Sequence, residues 1–245
     1  MPSESMEKTL HGCAGCAGDR VLVNKPIYRL RDPHPGDIVV FRAPENWDDE
    51  RQRVVSGNSI IKGVRWVGQL LGAVPPDEKD LIKRVVAIGG QTVKCCDDEG
   101  RVQVSDAGPD GPWRSLTEPY IFNDGAGPPT SPFGPVTVPS GRLWVMGDHR
   151  NDSADSRAHC DLIQLSDTPR PCDAIASTVP IDMVIGKAVL IVWPPSRLAT
   201  LGTPATFSSA ALGIAARGSP MLAGAGLALP IGLLRRRARR RRGRR

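Results

Sequence analysis

Polar and apolar positions alternate in short runs along most of this chain, and turn residues set the runs apart. Gly18-Asp-Arg-Val-Leu-Val-Asn-Lys25 alternates after a Gly-Asp turn and predicts a strand. Pro35-Gly-Asp-Ile-Val-Val-Phe41 repeats the signal. Lys83-Arg-Val-Val-Ala-Ile88 runs into Gly89-Gly90 and then Gln91-Thr-Val-Lys94, a strand–turn–strand pattern. Pro135-Val-Thr-Val-Pro-Ser-Gly141 leads into Arg142-Leu-Trp-Val-Met146, a second such pair. Met183 to Trp193 predicts a long last strand, with a kink at Gly186 and a stop at Pro194-Pro195. One segment keeps a helical period instead. Ile60, Val64, Val67 and Leu71 share a face, with Trp66 beside them, which predicts a small helix packed on the sheet or lying at a lipid interface. Residues 97–134 are rich in Asp, Gly and Pro and read as a loop-rich insertion. The fold class is therefore mainly β.

Composition narrows this further. A length of 245 residues suggests one or two domains. An apolar fraction of 40% and a charged fraction of 24% exclude a wholly disordered chain. The 23 prolines and 26 glycines argue against a helix bundle, and an aromatic content of 4% makes the core aliphatic. The formal charge of +6 hides an asymmetry: nine of the 32 basic residues fall in 235–245, leaving 23 against 26 acidic ones, or −3, for residues 1–234. Such a basic tail suits nucleic acid, anionic lipid or the cytoplasmic side of a membrane span. Just before it, Gly218–Leu234 is a 17-residue stretch without a charge. That is at the short end of what a bilayer requires, about 17–25 residues. We expect a linker over 198–217, a candidate transmembrane helix over 218–234 and an Arg-rich cytoplasmic tail over 235–245. A disordered Ala/Gly linker is the alternative.

The chemistry resides in four ordered segments. The first is Ser3-Glu-Ser-Met-Glu-Lys-Thr-Leu10, followed by Gly18-Asp19…Lys25. Asp80-Leu-Ile-Lys-Arg-Val-Val-Ala-Ile-Gly-Gly90 and Gly147-Asp-His-Arg-Asn-Asp-Ser-Ala-Asp-Ser-Arg157 complete the set. Together they resemble the bacterial type I signal peptidases, most closely the actinobacterial type, over roughly residues 2–197. Three departures stand out: Lys8 replaces a proline, His149 replaces an asparagine, and Ala87-Ile-Gly-Gly90 replaces a Gly-x-Pro-Gly run.

The resemblance implies an antiparallel signal-peptidase-like β fold, with a catalytic domain over 1–197 and a β insertion at about 95–140. It also implies a serine endopeptidase with a Ser/Lys mechanism, in which Ser5 is the nucleophile and Lys83 the general base. A serine hydroxyl needs a base, and a Ser–Lys pair is an accepted variant of the hydrolase triad. His11, His34, His149 and His159 all lie in turn contexts, so a histidine base is unattractive. A lysine can act as a base only when uncharged, which burial among apolar side chains favours. The Ser5 N–H and the Ser3 hydroxyl would hold the oxyanion. Ser153 would hydrogen-bond the Lys83 amine, Asp155 and Arg157 would form a supporting charged pair, and Asp148 and Arg150 would hold the turn that presents Ser153. Lys25 matches a lysine outside the chemistry. Pro2, Met6, Leu10, Leu81 and Ile82 are candidate walls for small substrate side chains, or simple core.

The implied substrates are signal peptides ending in a small-x-small motif such as Ala-x-Ala. Membrane lipid is the other expected partner, with no specific nucleic acid, no cofactor, no metal and a monomeric state. Cys13-Ala-Gly-Cys16 lacks a second pair to complete a zinc site. An exported domain allows disulfides, and Cys160–Cys172 is the preferred one. Adjacent Cys95 and Cys96 are not expected to bond to each other. Export of the β domain requires a signal anchor before Ser5, so the full protein is expected to carry an upstream span, with its catalytic domain outside the plasma membrane. Two competitors remain: a self-cleaving repressor, which would need a helix-turn-helix that the sequence lacks, and an inactive homologue that binds membrane or nucleic acid through its tail.

Overall fold

The computed structural model describes residues 3–13, 16–45, 47, 80–125, 130–160 and 172–208. The helical pattern at 60–71, Pro2, the candidate span at 218–234 and the arginine tail lie outside the described residues. Among the described residues no helix is long and apolar enough to cross a membrane.

The alternating runs form strands where the pattern places them. They are β1 (Arg20–Asn24), β2 (Ile38–Arg42), β3 (Asp80–Ile88), β4 (Thr92–Cys95), β7 (Phe133–Thr137), β8 (Arg142–Met146) and β10 (Val184–Trp193). Inside the expected loop-rich insertion lie two further strands, β5 (Val102–Ser105) and β6 (Arg114–Ser115). The short strands β9 (Val179–Pro180) and β11 (Ala199–Thr200) complete the set. One sheet has the order β1-β10-β2-β3-β8-β9, with β11 on β10; the other has the order β6-β5-β4-β7. Every pairing between these strands is antiparallel.

Strand β3 connects the two sheets. It enters β4 through Gly89-Gly90, where Gly90 takes a φ of +89° that side-chain-bearing residues rarely adopt. Val93, Val102, Val104 and Val136 of the smaller sheet pack with Val86, Trp144 and Met146 of the larger one. On the larger sheet, Leu81, Val85, Val39 and Phe41 form a second cluster, while Ile82 and Ile38 join a third with Met6 and Leu10. Leu81 and Ile82 fall in different clusters because successive strand residues point to opposite faces. Ordered structure also continues into the expected linker: Leu201 N–H donates to the Val189 carbonyl, and Phe207 is buried.

The cysteines form three bonds: Cys160–Cys172 as preferred, Cys13–Cys16, and Cys95–Cys96. The last corrects the expectation for the adjacent pair, whose peptide is cis with Cα atoms 3.0 Å apart.

Candidate active site

Three pieces of chain, far apart in sequence, supply the site. The segment carrying Ser5 is a tight loop, closed by Glu7 N–H to the Glu4 carbonyl (2.9 Å) and Leu10 N–H to the Met6 carbonyl (2.8 Å). Met6 and Leu10 anchor it by full burial against Ile38 and Ile82. Strand β3 supplies Lys83, which pairs in register with Val39 of β2. The turn after β8 supplies Gly147 to Arg157. Arg84 pairs with Met146, so Gly147 is the next residue after β8's paired end.

In this frame Lys83 Nζ donates to Ser5 Oγ at 2.8 Å, with Lys83 only 1% and Ser5 only 4% exposed. Ser3 Oγ lies 3.1 Å from Ser5 Oγ. The Ser5 carbonyl accepts from the His149 N–H at 3.1 Å, which docks the serine loop on the turn. Gly147 permits this approach, because a Cβ there would collide with the Ser153 side chain and the Ser5 carbonyl.

Ser153 departs from expectation. Its Oγ is buried against Gly147 but has no hydrogen-bond partner, so the expected bond to the Lys83 amine is not made; that amine is turned to Ser5. Asp155 does sit beneath the site. Its Oδ2 accepts from the Gly147 N–H at 2.8 Å and from Arg157 Nη2 at 2.6 Å, while Arg157 Nε reaches Oδ1 at 2.8 Å. Burial opposes the charge on Asp155, but the Arg157 guanidinium and the Gly147 N–H outweigh it and hold the pKa at about 2.

Asp148 has a wider task than holding a turn. Arg84 grips it with Nε to Oδ1 at 2.9 Å and Nη2 to Oδ2 at 2.6 Å, and the Thr9 hydroxyl donates to the same Oδ2 at 2.5 Å. One buried carboxylate thereby ties the serine loop to the lysine strand. Arg150 donates to the Gly147 carbonyl and forms a two-pronged pair with Glu118, at 2.8 and 2.5 Å. Burial disfavours the Arg150 charge, but Glu118 more than compensates and raises its pKa. Tyr120 lies under the Arg84 guanidinium, 4.1 Å from ring centroid to carbon.

Of the expected pocket walls, Met6 and Leu10 have no exposed surface, and Ile82 shares their cluster. Leu81 packs on the opposite face with Phe41. Lys25 is exposed, as a lysine outside the chemistry would be. Sequence reasoning missed Arg84, Glu118, Thr9 and the place of His149. Arg84, Thr9 and His149 stood inside the motif segments without a role of their own, and Glu118 stood outside them.

A buried amine bonded to a serine hydroxyl on an antiparallel β frame brings together the two groups that a Ser/Lys hydrolase would use. Comparison with known proteins narrows the class. The model of the signal peptidase family, peptidase S26, matches residues 1–193. The chain belongs to that family. A signal peptidase I of Mycobacterium tuberculosis (strain ATCC 25618 / H37Rv) is 50% identical over 204 residues, covering 80% of this chain and 65% of the relative. A probable signal peptidase I of Mycobacterium leprae (strain TN) is 47% identical over 217 residues, covering 83% of this chain and 70% of the relative. A signal peptidase I of Leptolyngbya laminosa is 30% identical, over 84% of this chain and 73% of the relative. The chain thus spans just under two thirds of the length of the M. tuberculosis relative.

Proposed function

We propose that this chain carries the catalytic domain of a type I signal peptidase, a serine endopeptidase that cuts exported preproteins after a small-x-small motif. The observation that carries this reading is the buried 2.8 Å contact between Lys83 Nζ and Ser5 Oγ in a chain of this family.

Uncharged Lys83 takes the Ser5 hydroxyl proton as Oγ adds to the scissile carbonyl carbon. The Ser5 N–H and the Ser3 hydroxyl hold the oxyanion. Collapse breaks the C–N bond, and the Lys83 ammonium returns its proton to the departing amine. Water, deprotonated by Lys83, then hydrolyses the ester and frees Ser5. Asp155, Arg157, Asp148, Arg150 and Ser153 act as positioning residues. The substrate lies extended beside the serine loop and β3, adding as a strand so that alternate small side chains face the enzyme.

We place the catalytic domain outside the plasma membrane, the 218–234 segment across the bilayer, and the arginine tail on cytoplasmic anionic lipid. Three disulfides support an oxidising compartment. The test is cleavage of a preprotein bearing Ala-x-Ala, with the cut mapped by mass spectrometry. Wild type should cut after the second alanine, and Ser5→Ala should lose activity by at least about 10²–10⁴-fold. A Ser5→Ala chain that cuts at the same bond at a similar rate would remove the assignment.

A further inference from the structure

One cluster beside the serine loop has no part in this chemistry. Glu4 precedes Ser5 in sequence, and His149 and Asp152 sit on the turn after β8. A ring nitrogen of His149 and a carboxylate oxygen each from Glu4 and Asp152 lie within 4.8 Å of one another. Both acids are exposed, whereas His149 is 3% exposed.

The imidazole carries the argument. His149 Nδ1 is 3.2 Å from the Glu4 backbone carbonyl oxygen, which can only accept, so Nδ1 bears the proton. A ring that carries its one proton at Nδ1 presents a lone pair at Nε2, which is buried and makes no hydrogen bond. Asp124 Oδ2 stands 3.7 Å from Nε2, beyond a hydrogen bond. That gap suits an ion holding nitrogen and oxygen at about 2.0–2.2 Å each. An imidazole whose other N–H is tied to a carbonyl is the usual form of a metal-ligating histidine. Clusters of exposed acids are common without an ion. Here a buried imidazole with an unused lone pair stands among three carboxylates.

We propose that Glu4, His149 and Asp152, with Asp124 at the rim, form a binding site for a divalent transition-metal ion of the zinc type. Nitrogen among oxygens favours such an ion over magnesium or calcium, which prefer oxygen alone. Glu4 belongs to the serine loop, while His149 and Asp152 belong to the turn that receives the Ser5 carbonyl. A bound ion would clamp these two pieces together beside the nucleophile, making its placement responsive to metal supply. The binding claim does not depend on the peptidase reading.

The test is a Co²⁺ titration of the oxidised full chain, followed by visible d–d absorption and competed with Zn²⁺. Oxidation keeps Cys13 and Cys16 bonded, and His11→Asn controls for the neighbouring His11–Cys13–Cys16 group. Wild type and His11→Asn should bind alike, while His149→Asn and Asp152→Asn should each weaken binding at least about tenfold. Asp152 is exposed, so Asp152→Asn keeps the test valid if His149→Asn folds poorly. No Co²⁺ spectrum in wild type, or affinity unchanged by both substitutions, would overturn the site.

Discussion

At Asp155, a guanidinium and a backbone N–H from the catalytic turn converge on one carboxylate with no exposed surface. Its folded pKa of about 2 lies below its ordinary 3.8. The unfolded chain therefore binds the proton more tightly. The contribution to stability is present above about pH 4 and is lost as pH falls through about 2. A shift of this size amounts to about 2 kcal/mol. Urea denaturation at stepped pH should show wild-type stability falling through this window, and Asp155→Asn should flatten that part of the curve. Parallel slopes for the two proteins would place the acid sensitivity elsewhere. At this scale the sequence was informative: the segments around Ser5, Lys83 and Asp155 marked the residues that the fold assembles. That Ser153 Oγ would lack a partner was not readable, because a hydroxyl's surroundings depend on atoms from separate segments.

Among the elements, one link between the segment after β6 and the turn after β8 is the pair Glu118 and Arg150, whose side chains are 3% and 1% exposed. Removing one partner of a buried pair leaves the other charge uncompensated, at about 3–5 kcal/mol. Glu118→Ala should therefore lower the melting temperature strongly, and Glu118→Leu combined with Arg150→Met should recover much of the loss. Equal damage from the single and double variants would show that packing, not charge, dominates there. Glu118 was invisible beforehand. It lies in a segment without periodicity, and its partner is 32 positions away. Strands β5 and β6 lie in the β insertion that the resemblance implied, but their positions within it were not legible for a related reason. They span four and two residues inside an Asp/Gly/Pro-rich stretch, without the turn-flanked run that marked β4, and they gain stability from cross-strand pairing with β4 and with each other. The longer runs β2, β3, β8 and β10 were legible because a half-buried strand must alternate or, when covered on both faces, stay apolar.

For the whole molecule, the body continues past the family-matched residues, through 208. Strand β11 pairs with β10, the Thr117 N–H donates to Thr206 Oγ1, and Phe207 is buried near Tyr120. A low-charge stretch of Ala, Gly, Thr and Pro looks like a linker, and a single buried aromatic does little to change that pattern. A chain ending at residue 197 should be less stable than one ending at 208 by about 3–5 kcal/mol, the cost of emptying one Phe site. Coincident melting curves for both truncations would show that this segment adds nothing to the fold.

The central claim is that the Lys83 amine must shed and regain a proton beside Ser5. The most direct test is the rate of preprotein cleavage by Lys83→Arg, with circular dichroism to verify that the variant folds. A guanidinium keeps hydrogen-bond donors within reach of Ser5 but stays protonated and cannot act as a base. The account predicts a loss of at least about 10²–10⁴-fold in a folded protein. A folded Lys83→Arg variant that turns over at close to the wild-type rate would contradict it.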